Sequence, residues 1–139
     1  MPATPALIAE RPAASAWRAA AMYRPSTSEA RRRLREDALA IVRREYASEL
    51  RLDDVAARIF TSRRALQRAF TDAGTSFRRE HLRSRLHAAA ARLRADPRQS
   101  VCDVSRAVGY LQPAQFAKAF RKEFGVSPTE YRDFARRTA

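Results

Sequence analysis

The sequence predicts an all-α fold of about seven helices, arranged as two helix-turn-helix subdomains joined by one long helix. Three observations carry that expectation. First, only three glycines interrupt 139 residues, and alanine, leucine, arginine and glutamate, all good helix formers, fill the windows between them. No β-branched alternation of the kind a half-buried strand requires is present. Second, the chain repeats itself about fifty residues apart. Val55-Ala56-Ala57-Arg58-Ile59 followed by Leu66-Gln67-Arg68-Ala69-Phe70 returns as Val104-Ser105-Arg106-Ala107-Val108 followed by Phe116-Ala117-Lys118-Ala119-Phe120. A duplicated unit of this size is one supersecondary element used twice. Third, serines and aspartates stand where helix starts are needed, and glycines or prolines stand where helices must stop.

Taken in order, residues 1–27 are rich in proline, alanine and serine and read as a flexible arm, with a short amphipathic turn conceivable around Trp17, Met22 and Tyr23. A first subdomain is expected over 28–75. Its opening helix should start near Ser28 and run to about Tyr46, burying Leu34, Ala38, Ile41, Val42 and Tyr46. Asp53 and Asp54 open the next helix, where carboxylates favour the positive helix end. Ser62 caps a helix over 63–72 that ends at Gly74. A linker helix follows within 76–95, capped by Ser76, with Leu82, Leu86, Ala89, Ala90 and Leu93 as its apolar stripe and Asp96-Pro97 as its stop.

The second subdomain, 96–139, opens with a capping box at Ser100-Val101-Cys102-Asp103 and turns at Gly109. Pro113 stands at the first position of a helix over about 113–123, where its missing N–H is harmless. Ser127-Pro128-Thr129-Glu130 starts a last helix through Tyr131 and Phe134. The helices account for the chain beyond the arm, so no ligand-sensing domain is expected.

Charge narrows the partners. The formal net charge is +13, from 28 basic and 15 acidic residues, and nearly all of the positive charge is arginine. An unbalanced basic domain of this kind fits a polyanion, nucleic acid before an anionic membrane surface. No run of the sequence is long enough to span a membrane, and the N-terminus lacks the basic and apolar regions of a secretory signal. The single cysteine, Cys102, can form no intramolecular disulfide, which fits a reducing cytoplasm. A small half-buried helix residue explains it more simply than a redox switch.

A helix-turn-helix lays its second helix in the major groove, so that helix needs an apolar face for the brace and a polar face for bases. In the first copy Leu66, Ala69 and Phe70 supply the inner face. Arg64, Gln67 and Arg68 share the outward stripe, and arginine and glutamine match guanine and adenine edges respectively. Arg63, at the helix start, suits a phosphate. The second copy presents Ala114, Ala117 and Lys118, with Gln115 beside them, a shorter and less charged face.

On these residues the chain resembles the DNA-binding domain of the AraC/XylS family of bacterial transcription regulators, over about residues 34–136. The resemblance rests on Gly109-Tyr110, Phe116-Ala117-Lys118-Ala119-Phe120-Arg121-Lys122-Glu123-Phe124-Gly125-Val126-Ser127-Pro128 and Tyr131-Arg132, with Ser62 to Phe70 matching the other recognition segment. It implies a homeodomain-like tandem that enters two successive major-groove segments, promoter binding, and contact with RNA polymerase. Base-reading roles carry to Arg64, Gln67, Arg68, Gln115 and Lys118. Ser62, Arg63, Arg83, Arg85 and Arg121 are candidate phosphate contacts. One chain carrying both readers needs no dimer, so a monomer on an asymmetric site is expected.

Three departures from the family pattern stand out. Phe60 occupies a turn position where the second copy has Gly109. The stretch from Phe70 to Gly74 is one residue shorter than that from Phe120 to Gly125. Most members of the family also carry a further sensory or dimerisation domain. The residues alone leave two other classes open, a nucleoid-architectural binder without base preference and a polymerase-binding accessory protein.

Nothing in the sequence assembles an enzyme. No nucleophile–base pair, glycine-rich phosphate loop or paired carboxylates is present, so neither catalysis nor a cofactor is expected. His81 and His87 lie six apart on different helix faces without a cysteine or carboxylate cluster, so no metal site is expected either.

Overall fold

The computed structural model describes residues 26–138. The expected arm therefore lies outside the described residues, apart from Ser26 and Thr27. Seven helices follow among the described residues, with no strand: α1 (Thr27–Arg44), α2 (Leu52–Arg58), α3 (Arg63–Asp72), α4 (Phe77–Ala95), α5 (Val101–Ala107), α6 (Pro113–Phe124) and α7 (Pro128–Thr138).

Local chemistry sets most of these boundaries. The Ser62, Ser76 and Ser100 hydroxyls accept the backbone N–H groups of Ala65, Arg79 and Asp103 at 3.0–3.1 Å, each satisfying a donor that the first helical turn leaves open. At α7 the box is reciprocal. The Glu130 N–H donates to Ser127 Oγ at 3.1 Å, and the Ser127 N–H donates to Glu130 Oε2 at 3.4 Å. The same device starts α1 earlier than expected. Ser26, not Ser28, makes the reciprocal pair with Glu29, at 3.1 and 3.2 Å. The helix also ends two residues sooner, at Arg44.

Among the described residues two separate cores form, with no buried residue in common. In the first, Ala38, Ile41 and Val42 of α1 meet Val55 and Ala56 of α2, Leu66 and Phe70 of α3, and Phe77 at the start of α4. The second joins Leu86, Ala89, Ala90 and Leu93 of α4 to Val104, Val108, Tyr110, Phe116 and Phe120. Phe124 and Tyr131 flank this second core, whereas Phe134 of α7 is 61% exposed. Tyr46 departs from its expected place. It follows α1, yet its side chain packs against the second core.

The two helix-turn-helix turns superimpose in their hydrogen bonding. After α2, Thr61 N–H reaches Ala56 O at 2.9 Å and Phe60 N–H reaches Ala57 O at 3.2 Å. After α5, Tyr110 N–H reaches Ser105 O at 3.0 Å and Gly109 N–H reaches Arg106 O at 3.1 Å. This bonding places one residue in the left-handed region at each turn: Gly109 at φ 101° and Phe60 at φ 58°. A side chain in that conformation costs about 1–2 kcal/mol. Phe60 is 96% exposed and recovers little of that through packing. Phe60→Gly is therefore expected to stabilise the protein by about 0.5–1 kcal/mol, once glycine's larger unfolded-state freedom is subtracted. Urea titration checks this, and a loss of stability would contradict the strain argument.

The one-residue difference beyond the recognition helices has a structural counterpart. α3 ends in a two-bond Schellman cap, with Thr75 N–H on Phe70 O at 3.1 Å and Gly74 N–H on Thr71 O at 2.9 Å. α6 ends in a single bond from Gly125 N–H to Arg121 O at 2.8 Å. The chain leaves the two helices by different routes.

Candidate nucleic-acid interface

α3 and α6 are the second helices of the two matched units, and each keeps one face in a core and one in solvent. On α3, Leu66, Ala69 and Phe70 are buried while Arg64, Gln67 and Arg68 are exposed. On α6, Phe116 and Phe120 are buried while Ala114, Gln115, Lys118 and Arg121 are exposed. The side chains of Arg64, Gln67, Arg68, Gln115, Lys118 and Arg121 have no hydrogen-bond or ion-pair partner among the described residues. These polar groups are solvated and unspent, as readers of an external ligand must be.

The helix starts add a second observation. α1, α2, α4, α5 and α7 each carry an acidic residue in the first turn, where it balances the positive end of the helix dipole. α3 and α6 carry none. Their N-terminal ends stay electropositive, an arrangement that suits phosphate oxygens.

The candidate phosphate contacts divide. Arg63 Nε lies 3.5 Å from Asp53 Oδ1, in an exposed pair that solvent and salt weaken. Ser62 Oγ accepts from Ala65 N–H, and its own O–H remains a donor. Arg83 Nε donates to Glu123 Oε1 at 3.0 Å, and His87 Nε2 lies 3.1 Å from the same oxygen. The hydrogen bond with His87, together with the nearby Arg83 charge, holds the Glu123 carboxyl below the ordinary range, so Arg83 faces a carboxylate that stays ionised. Arg121 is free of such a partner among the described residues.

Arg85 is a correction. The expectation was a phosphate contact, but the residue is buried, at 8% exposure, and all three guanidinium nitrogens are engaged. Nε donates to Tyr46 O at 2.8 Å, Nη2 to Ser48 O at 2.9 Å and Nη1 to Gly109 O at 3.2 Å. With each nitrogen turned to an internal carbonyl and the residue buried, the guanidinium is not presented to a backbone outside the protein. Beside it, His81 is 7% exposed with Nε2 2.9 Å from Tyr46 O, so the carbonyl fixes the tautomer with the proton on Nε2. Burial lowers the His81 pKa below the ordinary imidazole value and keeps the ring neutral.

Sequence reasoning missed this pair. The available signal was an i+4 row on the linker helix, Phe77, His81, Arg85 and Ala89, in which the two basic residues occupy apolar-face positions. Among the described residues no group of three or more His, Cys, Asp or Glu could hold a metal ion, and no helix is long and apolar enough to cross a membrane. Cys102 is half-buried at the start of α5.

Comparison with known proteins agrees with this geometry. Residues 55–133, more than half of the chain, match the family model described as a helix-turn-helix domain. The Msm operon regulatory protein of Streptococcus mutans is 29% identical over 92 residues, covering 66% of this chain and 33% of that protein. The transcriptional activator NphR of a Rhodococcus species is 34% identical over 87 residues, or 63% of this chain and 26% of that protein. The chain thus spans a third or less of the length of these curated relatives. Among solved structures, a transcriptional regulator from Chromobacterium violaceum with an AraC-type DNA-binding domain superimposes with a TM-score of 0.71 at 25% identity. That match covers 77% of this chain and 96% of the other.

Proposed function

The chain belongs to the AraC/XylS family of helix-turn-helix transcription regulators, and from that premise we propose that it reads double-stranded promoter DNA through α3 and α6. The observation that carries this reading is the pair of matched helices whose outward polar side chains have no partner among the described residues. In this account Arg64, Gln67 and Arg68 contact bases in one major-groove segment, and Gln115 and Lys118 contact bases in the next. Ser62, Arg63 and Arg121 hold phosphates. Arg83 joins them only where a phosphate displaces Glu123.

The scale of the linker supports two neighbouring segments. Nineteen helical residues in α4 span about 28 Å at about 1.5 Å per residue, against roughly 34 Å between successive major-groove segments on one face of DNA. A modest DNA bend closes the difference. A single chain then covers both segments, so the protein binds an asymmetric site as a monomer. RNA polymerase is the proposed protein partner and the bacterial nucleoid the proposed location. The reading involves no catalytic step and no cofactor.

The two helices contribute unequally in this reading. α3 offers two arginines and a glutamine for bidentate pairing, whereas α6 offers one lysine and one glutamine beside two alanines. Arg68→Ala is expected to weaken binding by about 1–3 kcal/mol and to relax the preference at one base pair. Lys118→Ala should cost less and leave the consensus nearly unchanged. Binding of each variant to a panel of single-base-pair substitutions measures both effects. A larger change of preference from Lys118→Ala than from Arg68→Ala would contradict the asymmetry.

A further inference from the structure

The two cores have no buried residue in common, yet two readers on one duplex must be held at a fixed distance and rotation. α4 supplies one connection. The structure shows a second, centred on Arg85. The turn after α1 is pinned to its own unit by Arg58, whose guanidinium pairs with both Glu45 carboxylate oxygens at 2.9 and 2.6 Å and holds that carboxyl below the ordinary range. From this turn the carbonyls of Tyr46 and Ser48 accept from Arg85, which also donates to the Gly109 carbonyl in the turn of the second unit. His81 binds the Tyr46 carbonyl as well, and the Tyr46 ring packs on the second core. The Arg85 guanidinium carbon also lies 6.0 Å from the centre of the Tyr110 ring. The backbones approach so closely here that a Cβ on Gly109 would stand 2.7 Å from the Ala47 carbonyl oxygen.

We propose that Arg85 is the positioning residue that couples the two helix-turn-helix units, so that the protein selects DNA by the spacing between its two half-elements as well as by their sequences. The inference rests on the two-segment reading above. A planar guanidinium with donors in fixed directions sets the geometry of three carbonyls at once, which the single point of a lysine ammonium cannot reproduce. Inserting one base pair between the half-elements shifts the second by about 3.4 Å and turns it by about 34°. A rigid pair of readers cannot follow such a change, and a loosely joined pair can.

Two measurements on the full chain test this. The first uses duplexes carrying the selected consensus with the spacer lengthened or shortened by one and two base pairs. The native chain is expected to lose roughly a hundredfold in affinity off its preferred spacing, the low end of what linking two sites confers. Arg85→Met and Arg85→Lys should flatten that profile to within about threefold while still binding a single half-element like the native chain. The second needs no DNA. With Cys102→Ser, spin labels at Thr71→Cys and Lys122→Cys report the distance between α3 and α6, which should be narrowly distributed in the native chain and broad in the Arg85 variants. Gly109→Ala attacks the same contact from the opposite side, with Arg85 in place, and should broaden the distribution too. Unchanged spacing profiles and equally narrow distances overturn the proposal. So does loss of all helical structure in all three variants, which would make Arg85 a core residue rather than a coupler. If the native chain enriches no DNA sequence, the regulator reading fails, while the label distances still decide whether Arg85 couples the units.

Discussion

Replacing Arg64, Gln67 and Arg68 together with alanine is expected to remove the base preference in the half-element assigned to α3 and to leave the melting temperature within about 2 °C of the native value. The three side chains are exposed and have no partner among the described residues, so their removal breaks no internal contact. Each bidentate base contact is worth about 1–3 kcal/mol of discrimination. Losing the set removes about 3–6 kcal/mol, a drop of roughly a hundredfold or more at fixed salt. Weak, salt-dependent binding through the remaining cations persists, because phosphate attraction carries no sequence information. Fluorescence anisotropy with consensus and scrambled duplexes separates the two components. A polymerase-binding accessory protein would lose nothing on this substitution, and an architectural binder would show no consensus to lose.

The second large effect concerns folding. Phe120→Ala destabilises the protein by about 3–5 kcal/mol. Phe120 is fully buried, with ring centres 5.6 Å from Phe116, 4.5 Å from Phe124 and 5.5 Å from Tyr131. Its truncation leaves a void that α4 and α7 cannot both close over. The loss is a large fraction of the stability of a typical domain. It falls unevenly, because the first core contains none of these rings. Hydrogen exchange should show α5, α6 and α7 losing protection ahead of α1, α2 and α3. A loss below about 1 kcal/mol in urea titration would contradict the packing described here.

Local signals carried most of the fold. Ser62, Ser76, Ser100 and Ser127 act within three residues of themselves, and Pro113 and Gly125 act on their own backbone, so each was legible from its neighbours. The start of α1 was misplaced because Ser26 and Ser28 both suit a cap, and only the pairing of Ser26 with Glu29 decides between them. Phe60 was legible by alignment with Gly109, since the repeated turn imposes the same backbone conformation on both. The outward faces of α3 and α6 followed from periodicity alone.

Arg85 was not legible for a physical reason. Its partners are backbone carbonyls 24 to 39 residues away, and a carbonyl leaves no mark on residue identity. The placement of Tyr46 on the second core failed in the same way, because helical periodicity gives a face and not the unit that face meets. What periodicity could show was an arginine on an apolar row. That pattern separates a buried clamp from a solvated phosphate contact once the rows of α4 are drawn out.

The central claim is that two helices of a single polypeptide read two adjoining stretches of one duplex. Repeated selection of bound sequences from random double-stranded DNA by the native chain, at fixed salt, tests it most directly. The account predicts a bipartite, non-palindromic consensus whose halves lie about one helical turn apart, with stronger base preference in the half read by α3. No enrichment, or a palindrome that demands two copies of the chain, contradicts it.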